Sequence, residues 1–536
     1  MRPMKLPAAL EPLEGPVFRG LWLAWLAANL TMGMNDIAAA WLMTSLTPSP
    51  VMVALVSTAS TLPMFVLGLP SGALADIVDR RRYFAATQLW VSLNAALLAL
   101  LALTGQLTAP LLLLLTFSNG VGLAMRLPVF AAIIPQVVPR AQLAPALALN
   151  SVAMNLSRVV GPMFAGVLLA GLGTAAVFVC NVVLAAAAMV LILRWRSEPQ
   201  ASTLPGERFV GAMRAGIVFT LQSQRLRAVL LRAFLFFLQT AALVSLLPLV
   251  ARELHGGGPG TFTVMLSCMG IGAVIAAFVF PRWHARFSRD RFVDAGTLAA
   301  ALLSSLIVAV PELWLALPAM VGIGVAWLSV VNSLTVSAQL VMPDWVRARG
   351  MSIYQMALMG GAAAGSVLWG QLAGLTSVRM AIWAAAALGV LALPAMRRLR
   401  IGGSTEPDYS PASSQAPPAP AIAIAPDEGP VMVTIEYQVD PQQAAAFARV
   451  MERTRAARLR QGALSWGLFR DVAVPGRCVE YFIDENWIEH QRRLARFTAF
   501  DAELRGQRLG FHVGAKPPLV RRYVAGAGVD VDAAAS

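Results

Sequence analysis

Twelve apolar runs in the first 400 residues constrain the fold of this chain more than any other feature. They lie near 21–46, 51–75, 83–104, 110–134, 146–172, 174–193, 228–250, 260–280, 293–310, 313–340, 350–372 and 378–396. Each reaches about 18 residues, the length that a helix needs to cross the hydrocarbon layer of a bilayer. The sequence therefore predicts an all-α membrane protein with twelve transmembrane helices over this region.

Composition agrees with a membrane protein and excludes other classes. Apolar residues make up 57% of the 536 residues and charged residues only 13%, whereas soluble proteins carry about 25% charged residues. So few charges argue against disorder and, despite a net charge of +14, against a nucleic-acid partner. The three cysteines, Cys180, Cys268 and Cys478, are too scattered for a metal motif or a disulfide framework. We expect no metal and no cofactor.

The basic residues are unevenly distributed along the chain. Residues 1–400 carry 27 basic and 12 acidic side chains, and residues 401–536 carry 15 and 16. If each apolar run crosses the membrane once, 23 of the 27 basic residues fall on one side, and only Arg252 and Arg379 fall on the other. Loops rich in Lys and Arg remain in the cytoplasm. Both termini are therefore expected to be cytoplasmic.

The composition also divides the chain into segments. They are an N-terminal six-helix bundle (1–196), a cytoplasmic central loop (197–227), a C-terminal six-helix bundle (228–400), a Pro/Ala/Ser linker (401–426), a small cytoplasmic domain (427–526) and a disordered tail (527–536). In the central loop, apolar and basic residues alternate as in an amphipathic helix on the inner leaflet, although a plain tether would also account for it.

A faint internal repeat relates the two bundles. Val138-Pro139, Ala144, Gly161 and Gly166 recur as Met342-Pro343, Ala348, Gly365 and Gly370, always 204 residues later. In both copies a proline-bearing loop leads into a helix rich in small residues, which allow helices to approach closely in lipid. The repeat predicts two related six-helix bundles about an axis normal to the membrane.

A charged loop between the second and third runs reads Gly72-Ala-Leu-Ala-Asp76-Ile-Val-Asp79-Arg80-Arg81-Arg82. It resembles the G-x-x-x-D-x-x-G-R-[RK] signature of the major facilitator superfamily (MFS), with Asp79 where that family usually has a glycine. Glycine makes a turn with positive φ easily, so we expect Asp79 to carry this turn at some cost. The alternative is that the three arginines only obey the positive-inside rule.

The resemblance implies the MFS fold and a conformational latch. In that family the loop aspartate contacts the cytoplasmic start of the eleventh helix and holds the outward-open state. Asp76 would then face Arg349, because an arginine and a helix N-terminus both favour a carboxylate. The latch implied by the resemblance comprises Gly72, Asp76, Asp79, Arg80, Arg81 and Arg349.

Further strings narrow the resemblance to one branch of that superfamily. Leu69–Asp76, Leu143–Ser151, Asn155–Pro162 and Trp345–Gly350 are similar to the secretion-effector branch, which is itself similar to enterobactin exporters and macrolide-efflux permeases. The resemblance implies a multi-pass protein of the bacterial inner membrane that exports a small amphipathic molecule, drug-like or siderophore-like. It also implies alternating access driven by proton antiport, with the proton gradient as energy source.

Three ionisable residues lie well inside the predicted spans, away from their ends: Asp36, Arg126 and Arg158. Such residues are costly in a bilayer and are candidates for function. Asp36 and Arg158 could pair across a cavity wall, and a carboxylate that loses its arginine partner takes up a proton more readily. A static ion pair, or an Asp36 solvated near the outer face, are the alternatives. Among the polar residues that could line the pathway are Asn119, Asn155 and Asn332.

After the linker, alternating apolar and polar residues predict the order βαββαβ and hence an α+β, ferredoxin-like domain. The second helix is predicted over 486–508. The strings around Trp466 and Glu480–Arg493 resemble the antibiotic-biosynthesis monooxygenase fold, in which a Trp, an His and an Asn act near a cavity. The nearest candidates are Trp466, Asn486 and His490, but a buried Trp and a surface His explain the same residues. A sensory or dimerising role is therefore preferred to catalysis, and the chain is not expected to be an enzyme.

Three functions remain open from the sequence. The first is a secondary exporter whose partners are a small-molecule substrate and the lipid bilayer, with homodimerisation through the C-terminal domain. The second is an exporter fused to a domain that modifies the substrate, and the third is a membrane scaffold for that domain. No Walker loop is present in the sequence, so ATP-driven pumping is unsupported.

Overall fold

The computed structural model describes residues 10–139, 142–195, 209–254, 257–284, 288–401, 412 and 420–525. Contacts divide the chain into two compact units. The helical unit comprises Met1–Pro205, Ala228–Ser337 and Ser352–Gly402, and the tail unit comprises Gly206–Arg227, Ala338–Met351 and Gly403–Ser536. Most of the predicted linker and all of the predicted disordered tail at 527–536 lie outside the described residues.

Two sets of six long helices form the helical unit. The first half consists of α1 Pro16–Leu46, α2 Pro50–Ile77, α3 Arg80–Leu103, α4 Ala109–Val137, α5 Leu143–Leu172 and α6 Thr174–Arg194. A shorter helix in the central loop, α7 Phe209–Gln222, precedes the second half. That half consists of α8 Gln224–Glu253, α9 Pro259–His284, α10 Arg289–Ala309, α11 Leu313–Val341, α12 Asp344–Leu375 and α13 Val378–Arg397.

Ten helices of the described chain are long and apolar enough to cross a membrane: α2, α3, α4, α6 and α8 to α13. The two others, α1 and α5, have 31 and 30 residues, so length does not distinguish them from the ten. Each carries an ionisable residue, Asp36 or Arg158, within the helix. The apolar-run prediction is thus confirmed for ten helices.

The two ends of the helical bundle differ in charge and in packing. The basic end, where α1 begins and α13 ends, holds Arg19, Arg80–Arg82 and Arg397. At the opposite end, one core cluster joins buried residues of both halves, from Met34 in α1 to Ala385 in α13. At the basic end, a second cluster is built from helices of the first half. The halves are therefore packed together at the end opposite the basic end.

Small residues mark the contacts between the halves. A Cβ added to Gly166 of α5 would lie 1.9 Å from Thr263 of α9, and one added to Gly370 of α12 would lie 2.5 Å from the Cβ of Ala54 in α2. These two glycines are the repeat pair 204 residues apart. Each crosses to the second helix of the other half, so the contacts are related by the internal repeat.

The other glycine pair of the repeat faces inward within each half. A Cβ on Gly161 would lie 3.6 Å from the Leu30 carbonyl oxygen of α1, and one on Gly365 would lie 2.5 Å from the Leu238 carbonyl oxygen of α8. Both therefore pack against the first helix of their own half. The structure confirms the repeat at all four glycines.

The tail unit contains a four-stranded antiparallel sheet in the order β2-β3-β1-β4. Its elements are β1 Val431–Gln438, α14 Ala444–Arg460, β2 Ser465–Arg470, β3 Arg477–Asp484, α15 Trp487–Ala495, α16 Ala499–Leu509 and β4 Leu519–Val524. Alternate residues of β1, including Val433 and Tyr437, pack against Phe447 and Met451 of α14 to form the core. The four strands and the first helix occur in the predicted order, and two helices stand where one was predicted before β4.

One predicted boundary in the tail is wrong. The helix expected over 486–508 is two helices, α15 and α16, because Thr498 starts a new one. The Asp501 carboxylate accepts a hydrogen bond from the Thr498 backbone N–H at 3.0 Å, and the Thr498 hydroxyl accepts one from Asp501 N–H at 3.4 Å. Such a reciprocal pair is a capping box, a strong signal for a helix start.

The close crossing of α9 and α11 generates a stability prediction. A Cβ on Gly272 would lie 2.0 Å from the Val321 carbonyl oxygen, whereas a Cβ on Gly260 in the same helix would meet no atom of another segment within 4 Å. Gly272→Ala should force the two backbones apart at a cost of about 1–3 kcal/mol. We expect thermal unfolding of the purified protein in detergent to shift down by several degrees. Gly260→Ala is the matched control, and equal melting temperatures for the two variants would contradict the crossing.

Candidate functional site

A buried arginine is the centre of the polar cluster in the first half. Arg126 of α4 is 2% exposed, and its Nη2 donates a hydrogen bond to Oδ1 of Asn29 in α1 at 3.2 Å. Its guanidinium lies 5.1 Å from the ring centroid of Trp25. The Nε of Arg126 and the Nδ2 of Asn29 have no hydrogen-bond partner in the described structure. Among the described side chains no carboxylate pairs with Arg126, so this charge is held by an amide and an aromatic face alone.

Asp36 lies seven residues beyond Asn29 on α1, about 10 Å farther along the helix. Its side chain is half-buried, and no described side chain hydrogen-bonds to it. The side chains of Arg158 and Asn155 lie outside the described part of the structure. The Cα of Gly161 would be 3.9 Å from a Cβ on Gly33, so α1 and α5 are in contact. Asp36 is one turn beyond that contact and Arg158 one turn before it, and their pairing stays a prediction.

The two asparagines predicted to line the pathway lie in matching helices of the two halves. Asn119 is in α4 and Asn332 is in α11, the fourth long helix of each half. Both side chains are half-buried and neither makes a hydrogen bond to a described residue. Their amides are therefore free to bond a solute, but the structure does not assign them a role.

An aromatic contact closes the bundle at the end opposite the basic end. Trp41 of α1 stacks on Phe262 of α9, with ring centroids 5.9 Å apart and planes at 24°. The guanidinium of Arg252, near the end of α8, lies 5.1 Å from the Trp41 ring centroid. The contact joins the first half to the second. These residues were not predicted as a group, because stacking between α1, α8 and α9 depends on tertiary packing.

The charged loop adopts a different conformation from the one expected. Asp79 has a φ of −53°, so no positive φ is needed, and its carboxylate accepts a hydrogen bond from Arg82 N–H at 3.0 Å. Asp79 is therefore the N-cap of α3. The Arg81 guanidinium donates to the Leu193 carbonyl at the end of α6. Arg80 follows Asp79 as the first residue of α3.

The other members of the predicted latch are only partly described. The surroundings of Gly72 and the side chain of Asp76 lie outside the described part of the structure. Arg349 lies in the second turn of α12, in the tail unit. The contact between Asp76 and Arg349 therefore stays a prediction.

The structure reveals an ion-pair cluster at the basic end that sequence reasoning missed. Arg232 of α8 is buried and pairs with Asp290 at 3.2 Å and with Asp294 at 3.3 Å, both from α10. The Ser288 hydroxyl caps α10 by accepting a hydrogen bond from Arg291 N–H. Asp79, 209 residues earlier, caps α3 in the same way through Arg82 N–H. A search of the second half for a counterpart of the charged loop could have found this cluster.

A buried glutamate organises the core of the tail. Glu480 of β3 is fully buried and accepts hydrogen bonds from Arg458 Nε at 3.0 Å, from Trp466 Nε1 at 3.1 Å and from the Tyr437 hydroxyl at 3.1 Å. Burial alone would raise the pKa of Glu480, but the guanidiniums of Arg458 and Arg508 and the hydrogen bonds reverse this effect and lower it. Glu480 is therefore a stable carboxylate at neutral pH.

A second buried network holds the predicted histidine. His490 Nδ1 lies 2.7 Å from the Asp484 carboxylate, which also accepts a hydrogen bond from Arg493 Nε at 2.9 Å. Arg522 Nε donates to His490 Nε2 at 3.3 Å, which fits a neutral ring with its proton on Nδ1. Burial lowers the pKa of His490 and outweighs the Asp484 bond. His490 is thus a neutral structural residue at pH 7.

The three weak catalytic candidates all have structural partners. Trp466 donates to Glu480, Asn486 caps α15 by accepting from Glu489 N–H at 3.0 Å, and His490 is bonded to Asp484. These bonds fit the alternative in which the three residues are structural. That alternative assumed a His on the surface, whereas His490 is buried.

The tail unit also includes the central-loop helix and the start of α12. The Trp345 ring of α12 meets Phe219 of α7 edge-on, with ring centroids 6.0 Å apart. The guanidinium of Arg496, which ends α15, lies 4.7 Å from the Trp345 ring centroid. Three segments far apart in sequence thus meet at one tryptophan.

The charge of Glu480 generates a prediction for the tail. Glu480→Gln keeps the volume but leaves Arg458 without its carboxylate, and breaking a buried pair costs about 3–5 kcal/mol. We expect hydrogen exchange of the peptides covering β1 and β3 in the full chain to become at least tenfold faster at pH 7. Glu452→Gln, which breaks the exposed pair with Arg455, should change nothing.

The pH dependence of this effect follows from the lowered pKa of Glu480. A carboxylate with a lowered pKa stabilises the fold above the ordinary glutamate pKa of about 4.3, and this stability is lost as the pH falls. The difference between wild type and Glu480→Gln at matched pH should therefore shrink in acid. A difference that grows in acid would contradict the assignment.

Known proteins similar to this chain are transporters. Macrolide efflux protein A of Streptococcus pyogenes is 22% identical over 264 residues, 49% of this chain and 65% of that protein. The chain thus spans just under two thirds of that relative's length. The enterobactin exporter EntS of Escherichia coli O1:K1 / APEC is 26% identical over 411 residues, 74% of this chain and 96% of that protein.

Solved structures and a family model complete the comparison. The crystal structure of a bacterial homolog of the human lysosomal transporter Spinster, inward-facing and occupied, has a TM-score of 0.59 at 15% identity over 73% of this chain and 98% of that one. The nucleoside transporter NupG has a TM-score of 0.58 at 13% identity over 72% and 98%. Both show the fold of the helical unit. Since the family model for the transmembrane secretion effectors matches residues 7–528, the chain belongs to that family of the major facilitator superfamily.

Proposed function

We propose that the protein is a secondary exporter that works by alternating access. The observation that supports this proposal is a pair of contacts between the halves that the internal repeat relates. Gly166 of α5 packs against α9, and Gly370 of α12 packs against α2. Alternating access needs two similar halves that rock against each other about a central site. The closed contact of Trp41 with Phe262 at one end is the arrangement expected of one of the two states.

The substrate proposed is a small amphipathic molecule, drug-like or siderophore-like. The relatives are, by name, a macrolide efflux protein and an enterobactin exporter. The Arg126 cluster supports this class, because it sets a buried positive charge beside an amide and the Trp25 ring. A solute with both polar and aromatic groups suits such a surface.

The proposed orientation places the basic end, and therefore both termini, in the cytoplasm of a bacterial cell, with all twelve long helices crossing the inner membrane. The positive-inside rule supports this arrangement. In this orientation the bundle is closed on the outer side, and the Asp76–Arg349 latch would form only when the outer side opens.

Proton antiport is proposed to run through Asp36. Its carboxylate is half-buried, has no described partner and lies one helix turn from the contact of Gly33 with Gly161. If Arg158 pairs with it in one state and not in the other, its proton affinity changes with the state. That change couples proton entry to substrate exit.

Proteoliposomes with an acidic interior would test the coupling, with erythromycin and enterobactin as external probes. Wild type should accumulate at least one probe against its gradient. Asp36→Asn should lose this accumulation at least tenfold yet retain exchange of labelled for unlabelled probe, which needs no net proton transfer. Glu253→Gln, an exposed carboxylate at the end of α8, should behave as wild type.

Each other outcome contradicts a defined part of the proposal. Accumulation by Asp36→Asn at the wild-type rate would remove Asp36 from the coupling. Accumulation by wild type without a pH gradient would contradict proton antiport and leave export standing. No accumulation of either probe would contradict the substrate class.

The tail is proposed to be a ferredoxin-like domain that pairs two copies of the chain, and not an enzyme. The strand order β2-β3-β1-β4 supports that fold. The face of the sheet away from α14 exposes Met432 (38%), Tyr523 (44%) and Phe469 (60%), and Phe469 stacks on Tyr481. Exposed apolar patches of this kind mark interaction surfaces.

Native mass spectrometry of the full chain in detergent would test this pairing. Wild type should be a dimer, and Tyr523→Glu should be monomeric because it places a charge on the apolar face, beside Met432. Val472→Glu is the matched control, because Val472 is fully exposed in the β2–β3 turn, away from that face. A monomeric wild type, or a dimer that survives Tyr523→Glu, would contradict the proposal.

A further inference from the structure

A cleft in the tail contains a buried arginine. Arg508 near the end of α16 is 7% exposed. It lines a cleft between α14 and α16 that is open to solvent. Arg458, Gln461 and Asp501 also line it, together with the apolar side chains of Ala457, Phe497 and Leu504.

The other buried arginines of the tail have carboxylate partners. Arg458 pairs with Glu480 at 3.0 Å, Arg493 with Asp484 at 2.9 Å and Arg496 with Glu489 at 3.4 Å. Among the residues that the structure describes, Arg508 has neither a hydrogen bond nor an ion pair. Arg508 is thus the buried arginine of this set that no described carboxylate contacts directly.

The acidic residue in the same cleft does not compensate Arg508. The Asp501 carboxylate accepts hydrogen bonds from the Thr498 backbone N–H at 3.0 Å and from the Thr498 hydroxyl at 2.6 Å. It is therefore committed to the capping box that starts α16. Glu480 is committed to Arg458, Trp466 and Tyr437.

An unpaired buried guanidinium is costly, and it stays charged. Burial and the neighbouring Arg458 lower the pKa of Arg508, and Glu480 and Tyr437 oppose this effect. An arginine guanidinium stays protonated at pH 7. Burying a charge without a partner costs several kcal/mol, whereas an anion in the cleft would offset much of that cost. Arginine binds carboxylates well because two N–H groups match the two oxygens.

We propose that this cleft binds a small organic carboxylate, held by Arg508. The Gln461 amide, which makes no hydrogen bond to a described residue, offers a further donor beside it. Phe497, Leu504 and Ala457 supply the apolar part of the lining, so an acid with a short apolar body fits better than a fully polar anion. The proposal does not depend on export, because the ligand would bind the tail.

Isothermal titration of the full chain in detergent at pH 7 and low salt would test the proposal, with benzoate, acetate and inorganic phosphate as probes. Wild type should bind benzoate saturably, one per chain, and more tightly than acetate or phosphate. Arg508→Gln should weaken benzoate binding at least tenfold, and Arg508→Lys should weaken it less. Arg449→Gln, which removes an exposed positive charge from α14, should leave it unchanged.

Hydrogen exchange of the β1 and β3 peptides would show whether each variant keeps its fold. Binding of benzoate by wild type and Arg508→Gln with equal affinity would overturn the proposal. So would the absence of saturable binding to wild type, or phosphate as the only anion bound. Transport measurements do not enter these outcomes, so a failure of the export proposal would be seen separately.

Discussion

The helical unit depends on one constraint: in a bilayer, apolar side chains gain little by leaving lipid for one another. Helices must therefore be held together by close packing, which small residues allow. The crossings of α5 with α9, α12 with α2 and α9 with α11 all occur at glycines where a Cβ would lie 2.5 Å or less from its neighbour. The same constraint explains why three of the four identical repeat positions are glycine or alanine. Other positions facing lipid only need to be apolar.

The two units differ in how fully their buried polar groups are paired. In the tail, Glu480 and Asp484 are surrounded by donors, and their buried arginines are paired. In the first half of the helical unit, Arg126 has one amide and one aromatic ring, and Asp36 has no described partner. A buried network in which every group has a hydrogen-bond partner stabilises the fold. Charged side chains in a membrane bundle that lack such partners are available to a solute. This contrast separates the structural polar residues from the candidates for transport.

The sequence predicted the features that depend on local pattern. Apolar runs located the ten helices that the structure identifies as able to cross a membrane, and alternation located the four strands of the tail. Predictions of turns and helix ends were less accurate. Asp79 was expected in a strained turn but caps α3. The Thr498 capping box that divides α15 from α16 was not recognised.

The features missed from the sequence arise from tertiary contact. The pairing of Arg232 with Asp290 and Asp294 joins helices about 60 residues apart, and the Trp41–Phe262 stack joins the two halves. No spacing rule brings such residues together. Likewise, one sequence could mark Trp466, Asn486 and His490 as unusual, but only the structure shows that each is already bonded within the tail.

The glycine contacts between the halves have a mechanical consequence. Helices that pack through large side chains interlock as ridges in grooves, so turning one against the other requires lifting those ridges apart. Where Gly370 meets Ala54 and Gly166 meets Thr263, there is almost no ridge to lift. If the halves tilt as proposed, these points would offer little resistance, and the barrier between states would be set by contacts farther from them, such as the aromatic stack at Trp41.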